Sequence, residues 1–266
     1  ISEIKGVPVE RMMLGNGSDE IIDLMIRSFC EPKRDHILVF SPGYAMYEVS
    51  AEINDVEVRK MNLTTAFLPD WSELKKQTDP HSKILFLCTP NNPTGKVIPF
   101  TQLEQVCIDF PGIVMVDEAY IDFAGRSAVE LIDKYENLVV VQTFSKARSM
   151  AGMRIGYAIS NPALIRYLND VKYSFNSYTM NQTALLCGVE AVRDRAYFEQ
   201  CVSEIVKTRQ WAKEEFKKRG FEFPDSSANF LFVTHPKQDA KTLFEALKEK
   251  DVYVRYFGSR RIDQYL

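Results

Sequence analysis

The stretch Thr143-Phe144-Ser145-Lys146-Ala147-Arg148 places a lysine among small hydroxyl side chains, with Gly152 and Arg154 further along. The apolar run Leu138–Val141 leads into it and reads as a core strand. An amine at the end of such a strand lies against low-dielectric packing. Burial there disfavours the ammonium, lowers its pKa and makes the amine a usable nucleophile. The alternative is a solvated loop lysine, the commonest fate of this side chain.

Other stretches carry complementary chemistry. Gly15-Asn16-Gly17-Ser18-Asp19-Glu20 precedes Ile21, Ile22, Met25, Ile26 and Phe29, an apolar face at helical spacing. Such a turn presents backbone N–H groups at a positive helix end, which suits a phosphate as well as it suits an ordinary capped helix. It is neither the dinucleotide glycine fingerprint nor a P-loop. Ile84–Cys88 is a continuous apolar strand that ends in Thr89-Pro90-Asn91-Asn92-Pro93-Thr94-Gly95. The prolines and glycine fix a rigid turn, and its asparagines can face the carboxyl edge of a sheet, where open α/β sheets bind ligands. Ile113–Val116 ends in Asp117-Glu118-Ala119-Tyr120. An acid at the end of a core strand is costly without a positive partner; a helix cap or a surface ion pair are the other readings.

The elements that position these groups alternate. Strands are expected over 36–40, 56–61, 84–88, 113–116, 138–142 and 156–159. Helices are expected over 44–53, 70–77 (capped by Asp70), 101–110, 126–134 and from Pro162 to about 170. The segment 172–179 is aromatic and irregular. A long helix is expected over 195–219, then strands at 229–233 and 251–256 around a helix at 240–250. The pattern is α/β: a three-layer large domain with a mostly parallel central sheet (1–194), plus a smaller α+β domain (195–266). The carboxyl ends of the parallel strands then gather Asn92, Asp117, Tyr120, Ser145 and Lys146 on one edge.

Composition narrows the class. The chain has 266 residues, 45% of them hydrophobic, and a formal net charge of −3. Neither the charge nor its patterning points to nucleic acid or to an anionic membrane, and no apolar run approaches a membrane span. Five scattered cysteines without CxxC spacing fit a reducing, cytoplasmic setting, and three distant histidines offer no metal-ligand spacing, so no metal site is expected. The chain starts without a methionine and stops at Leu266 with no terminating helix in view, so a longer protein and an incomplete small domain are expected.

An amine, a buried acid, hydroxyls, an aromatic and a phosphate cradle together suit pyridoxal 5′-phosphate. The runs Asn91–Gly95, Asp117–Tyr120, and Ser145-Lys146 with the later Gly152, Arg154 and Gly156-Tyr157 resemble, in order and spacing, the fold-type I pyridoxal-phosphate aminotransferases. Gly15–Glu20, Ser41–Tyr47 and Ser50-Ala51-Glu52 are most similar to the histidinol-phosphate aminotransferase branch. The resemblance implies that Lys146 binds the cofactor and moves the substrate's proton, and that Asp117 pairs with the pyridinium nitrogen. Tyr120 and Asn92 would bond the phenolate oxygen, and Tyr44 would stack on the ring. The backbone of Ser18 and Asp19, with Thr143, Ser145 and Arg154, would hold the phosphate.

It further implies transfer of the amino group from histidinol phosphate to 2-oxoglutarate in histidine biosynthesis, a small-molecule amino donor and 2-oxo acid as partners, and a homodimer. A substrate-binding arginine beyond Leu266 and an arm before Ile1 are expected from the same resemblance. Asn229 matches a substrate-facing position; capping of a strand start is its other reading. The rival functions are threonine-phosphate decarboxylase, an aromatic aminotransferase of the same fold, or a pyridoxal-phosphate-binding protein without catalysis. Arg148 departs from the small or apolar residue common at its position, and no role for it emerges from sequence.

Overall fold

The computed structural model describes residues 1–266. The chain runs α1 (Ser2–Lys5), β1 (Met12–Asn16), α2 (Ser18–Phe29), β2 (His36–Ser41), α3 (Met46–Ile53), β3 (Glu57–Asn62), α4 (Trp71–Gln77) and β4 (Ser82–Cys88). It continues through α5 (Phe100–Asp109), β5 (Ile113–Asp117), β6 (Leu138–Thr143), β7 (Ile155–Ser160), α6 (Pro162–Phe175), α7 (Gln182–Arg193), α8 (Arg195–Lys218) and α9 (Ala240–Lys248). One seven-stranded sheet has the order β1-β7-β6-β5-β4-β2-β3. Only β7 runs against its neighbours; the other pairs are parallel.

The centre of the sheet is covered on both faces, which is why β4, β5 and β6 read as largely apolar runs while the edge strand β3 does not. Val114, Val116, Leu138 and Val140 face one layer with Leu103 and Val106 of α5. Met115, Val139 and Val141 face the other with Ile21, Ile22, Met25 and Ile26 of α2. Ile21 and Ile22 are fully buried, each contributing about 1.5–3 kcal/mol. Asp70 caps α4 as expected, accepting from the backbone of Ser72 and Glu73.

Register then aligns the strand ends. Cys88 pairs with Asp117, and Asp117 with Val141. On the other side Thr143 pairs with Gly156, and Gly156 with Gly15. The lysine turn, the buried acid and the glycine turn therefore open on one edge of the sheet.

Several expectations are corrected. The helix expected over 126–134 is a 3₁₀ turn at Ala128–Leu131. Ser127 caps Val129 there, and the Glu118 carboxylate takes the Ala128 N–H, so the backbone closes tightly instead of extending. Helix α6 runs to Phe175, through residues expected to be irregular. The tail strands at 229–233 and 251–256 do not form. Val233 exchanges two backbone bonds with Leu266, and Glu222 bridges Thr234, but no ladder develops. A strand needs a partner backbone as well as apolar side chains. The tail packs through rings instead: Phe232 stacks on Tyr265 with centroids 4.2 Å apart. No helix is long and apolar enough to cross a membrane.

Candidate active site

Asp117 ends β5 and is 2% exposed. Its Oδ2 accepts from the Tyr47 hydroxyl at 2.7 Å and its Oδ1 from the Ala119 N–H at 3.0 Å. Burial pushes the carboxyl above its usual range; the Tyr47 and Ala119 bonds pull it down, Asp19 pushes it up, and Lys146 pulls it down. Tyr47 is itself buried, stacked on Phe86 at 4.7 Å. Burial and the Asp117 charge raise its phenol well above the normal range, so it stays a donor. From sequence, Tyr47 is only an aromatic near a helix start.

Lys146 lies in the turn after β6, half-buried, with Nζ 5.4 Å from the Tyr120 ring centroid. The Asn92 amide donates to the Tyr120 hydroxyl at 3.2 Å, and the Phe230 ring meets Tyr120 edge-on at 5.0 Å. The two asparagines of the proline-rich turn divide their work. Asn91 is buried and binds the Pro42 carbonyl and the Thr94 hydroxyl, which holds the turn, while Asn92 faces the site.

The glycine turn is built from two elements. Gly17, at φ 80°, precedes α2, and a Cβ there would run into the Arg154 guanidinium. A Cβ at Gly156 would strike the Gly17 carbonyl carbon and the Ser18 nitrogen. Only glycines permit this approach. Arg154 donates through Nη2 to Asp19 Oδ2 at 3.0 Å, and Asp19 Oδ1 accepts from the Tyr44 hydroxyl at 2.8 Å. Thr143 Oγ1 lies 2.9 Å from Ser145 Oγ and 3.1 Å from the Ile155 carbonyl, and it accepts the Ser145 N–H. Thr143 is thus committed internally and aims Ser145. Asn229 is exposed in a bend next to Phe230, not in a strand. That bend is docked on the asparagine turn: Ser227 N–H donates to the Gly95 carbonyl at 2.8 Å, and Arg209 of α8 holds the Ala228 carbonyl at 2.8 Å.

Arg148 has a place that sequence did not supply. Its Nη1 donates to the Ala191 carbonyl at 2.6 Å, near the C-terminus of α7, and its guanidinium lies 4.1 Å from the Phe198 ring centroid. It fastens the lysine turn to the α7–α8 corner, where a cation is favoured by the free carbonyls. Arg148→Ala is expected to cost about 2 kcal/mol from the lost charged hydrogen bond and ring contact. Urea unfolding reads this; an unchanged midpoint would show the clamp to be idle.

Glu118 lies 1% exposed beside Asp117 and accepts from the Ser127 hydroxyl, the Ala128 N–H and the Gln142 amide. Burial pushes its carboxyl up to about 7, against those three bonds. A folded-state pKa above the unfolded one means stability present at low pH and lost as pH rises. From pH 5 to pH 8 the stability of the wild type relative to Glu118→Gln should fall by about 2–3 kcal/mol. Paired thermal melts at the two pH values measure it; a constant gap would contradict it.

The chain matches the aminotransferases of class I and II over residues 2–265. It is 41% identical over 259 residues to a histidinol-phosphate aminotransferase of Clostridium botulinum, covering 97% of this chain and 72% of that protein. The crystal structure of the histidinol-phosphate aminotransferase from Clostridium acetobutylicum superposes with a TM-score of 0.89 at 26% identity, over 99% of this chain and 80% of that one. The enzyme of that name from Sinorhizobium meliloti, solved in complex with pyridoxal-5′-phosphate, shares the fold with a TM-score of 0.89 at 22% identity, over 99% of this chain and 73% of that one. With the family match spanning nearly all of its length, the chain belongs to the class I and II aminotransferases.

Proposed function

We propose that this protein is a pyridoxal-phosphate-dependent aminotransferase that converts histidinol phosphate and 2-oxoglutarate to imidazole-acetol phosphate and L-glutamate, in histidine biosynthesis. The observation that carries the reaction type is the buried Asp117 on the same sheet edge as Lys146 and the glycine cradle. The substrate assignment rests on the 41% identity to the Clostridium botulinum protein.

The donor set fits the cofactor. The Gly17–Gly156 approach leaves the Ser18 and Asp19 backbone and Arg154 at a helix N-terminus, an arrangement that suits a phosphate. The buried acid suits a pyridinium, and the pair Asn92–Tyr120 suits a phenolate. When bound, pyridoxal phosphate supplies an aldehyde carbon and an electron sink. Lys146 would hold that carbon and, as a free amine, would take and return the proton on the substrate's α-carbon. Asp117 supplies the negative charge at the ring nitrogen. Tyr44 would pack against the ring, and Ser145, aimed by Thr143, would hold the phosphate with Arg154.

Residues 195–266 serve as the small domain, whose bend at Asn229 borders the substrate space. The exposed side chains Tyr173, Phe175, Tyr178 and Leu186 support a homodimer, because so much apolar surface is costly in water; sedimentation gives the stoichiometry. The proposed setting is the cytoplasm.

Glutamate formation from histidinol phosphate plus 2-oxoglutarate tests the substrate. No turnover there, with turnover on aromatic amino acids or carbon dioxide release from threonine phosphate, would replace the substrate reading with one of its rivals.

A further inference from the structure

The buried carboxylate of Glu118 has no part in the chemistry above, and no lysine or arginine forms an ion pair with it. A buried acid without a cation costs several kcal/mol, and well-packed apolar side chains commonly do as well or better. Its bonding pattern is directional. Oε1 accepts the Ala128 N–H at 2.6 Å; Oε2 accepts the Ser127 hydroxyl at 2.5 Å and Gln142 Nε2 at 2.7 Å. Gln142 Nε2 also reaches Ser127 Oγ at 3.2 Å, and Gln142 Oε1 accepts the Tyr157 hydroxyl at 2.6 Å. Gln142 and Tyr157 are 2% and 5% exposed. Flipping the Gln142 amide would set its oxygen against the carboxylate, so Glu118 alone fixes which end faces Tyr157.

Each member adjoins a site residue. Glu118 comes directly after Asp117, Gln142 directly before Thr143, and Tyr157 directly after Gly156. Gln142 pairs with Tyr157 in the ladder, one step from Thr143 with Gly156, and the Glu118 N–H donates to the Val141 carbonyl at 2.8 Å. We propose that Glu118 is a positioning residue: through Gln142 and Tyr157 it ties the ends of β5, β6 and β7 in the one register that converges Asp117, the lysine turn and the glycine cradle. The inference rests on the aminotransferase reading of that edge. A buried network with a single satisfied orientation specifies geometry in a way that apolar packing cannot.

The test is a charge swap in the holoenzyme. Glu118→Gln is isosteric but leaves too few acceptors for its three donors. It should lower kcat roughly 10- to 100-fold, the scale of a misplaced reacting group, with KM for the amino donor nearly unchanged and the visible cofactor band displaced. In the double variant E118Q/Q142E the carboxylate now at position 142 accepts from Tyr157 and from the amide now at position 118, whose oxygen takes the Ala128 N–H. That variant should recover kcat to within about threefold of wild type, along with the wild-type band. Unchanged kcat in Glu118→Gln, or a swap no better than the single variant, would overturn the proposal. Should the swap not fold, Tyr157→Phe removes only the last bond; it should lower kcat and displace the band in the same direction, and an unaltered Tyr157→Phe enzyme would equally overturn it. The band and the kcat ratios are read with whichever amino donor the wild type accepts, so a wrong substrate assignment shows in the wild type alone.

Discussion

Replacing Lys146 with alanine is expected to yield a folded protein that lacks the visible absorbance of lysine-bound pyridoxal phosphate and whose turnover falls by roughly 10⁴-fold or more. The loss is chemical. Lys146 forms no ion pair in the chain, and its nearest aromatic partner is the Tyr120 ring at 5.4 Å, so truncation removes little packing. Unfolding free energy should change by less than about 1 kcal/mol, since the half-buried side chain loses little packing and no ion pair. Lys146→Arg sharpens the reading. It keeps the positive charge but cannot deprotonate, so it cannot act as base. If positive charge were what mattered, Lys146→Arg would stay active. Equal loss in both variants identifies the free amine, and substantial turnover in Lys146→Ala would remove Lys146 from the chemistry.

The parts of this site legible in sequence are those that end an unbroken apolar run. Ile84–Cys88, Ile113–Val116 and Leu138–Val141 have no polar face, so they must be central strands, and the residues just past each must lie at a sheet edge. That places Asn92, Asp117 and Lys146 from the sequence alone. The glycine turn is legible for a related reason: two glycines before a Ser-Asp-Glu helix start mark a close backbone approach. The hydrogen-bond partners are not legible. Tyr47 reaches Asp117 across 70 residues of sequence, and Gln142 reaches Glu118 across 24; both depend on register, which no local pattern encodes. Arg148 is opaque because its partners, Ala191 and Phe198, lie on helices whose corner is set by tertiary packing. The tail is deceptive in a different way. The apolar run 229–233 describes side chains that bury, as Phe232 does among Phe67, Phe257 and Tyr265, without supplying the neighbouring backbone that makes a strand.

Asp117→Asn should preserve the fold and remove most of the activity. The amide fits the same volume, and its oxygen can accept the Ala119 N–H while Tyr47 remains stacked on Phe86. The negative charge is lost, in a site where solvent cannot replace it because Asp117 is 2% exposed. Removing one charge of a buried pair costs about 3–5 kcal/mol, or roughly 10²- to 10⁴-fold in kcat/KM. Cofactor binding should respond to pH in a way that separates charge from shape. Burial holds the Asp117 carboxyl above its ordinary range in the unliganded protein. As pH falls through that raised value the carboxylate takes a proton, and affinity for pyridoxal phosphate falls with it. The Tyr47 hydroxyl bond opposes the shift, so Tyr47→Phe should move this acid limb to still higher pH, whereas Asp117→Asn should abolish it. Cofactor titrations of the three proteins between pH 4 and pH 8 give the comparison. An acid limb that persists in Asp117→Asn would assign it to another group, and a limb that Tyr47→Phe leaves in place would mean that the 2.7 Å bond does not tune the acid.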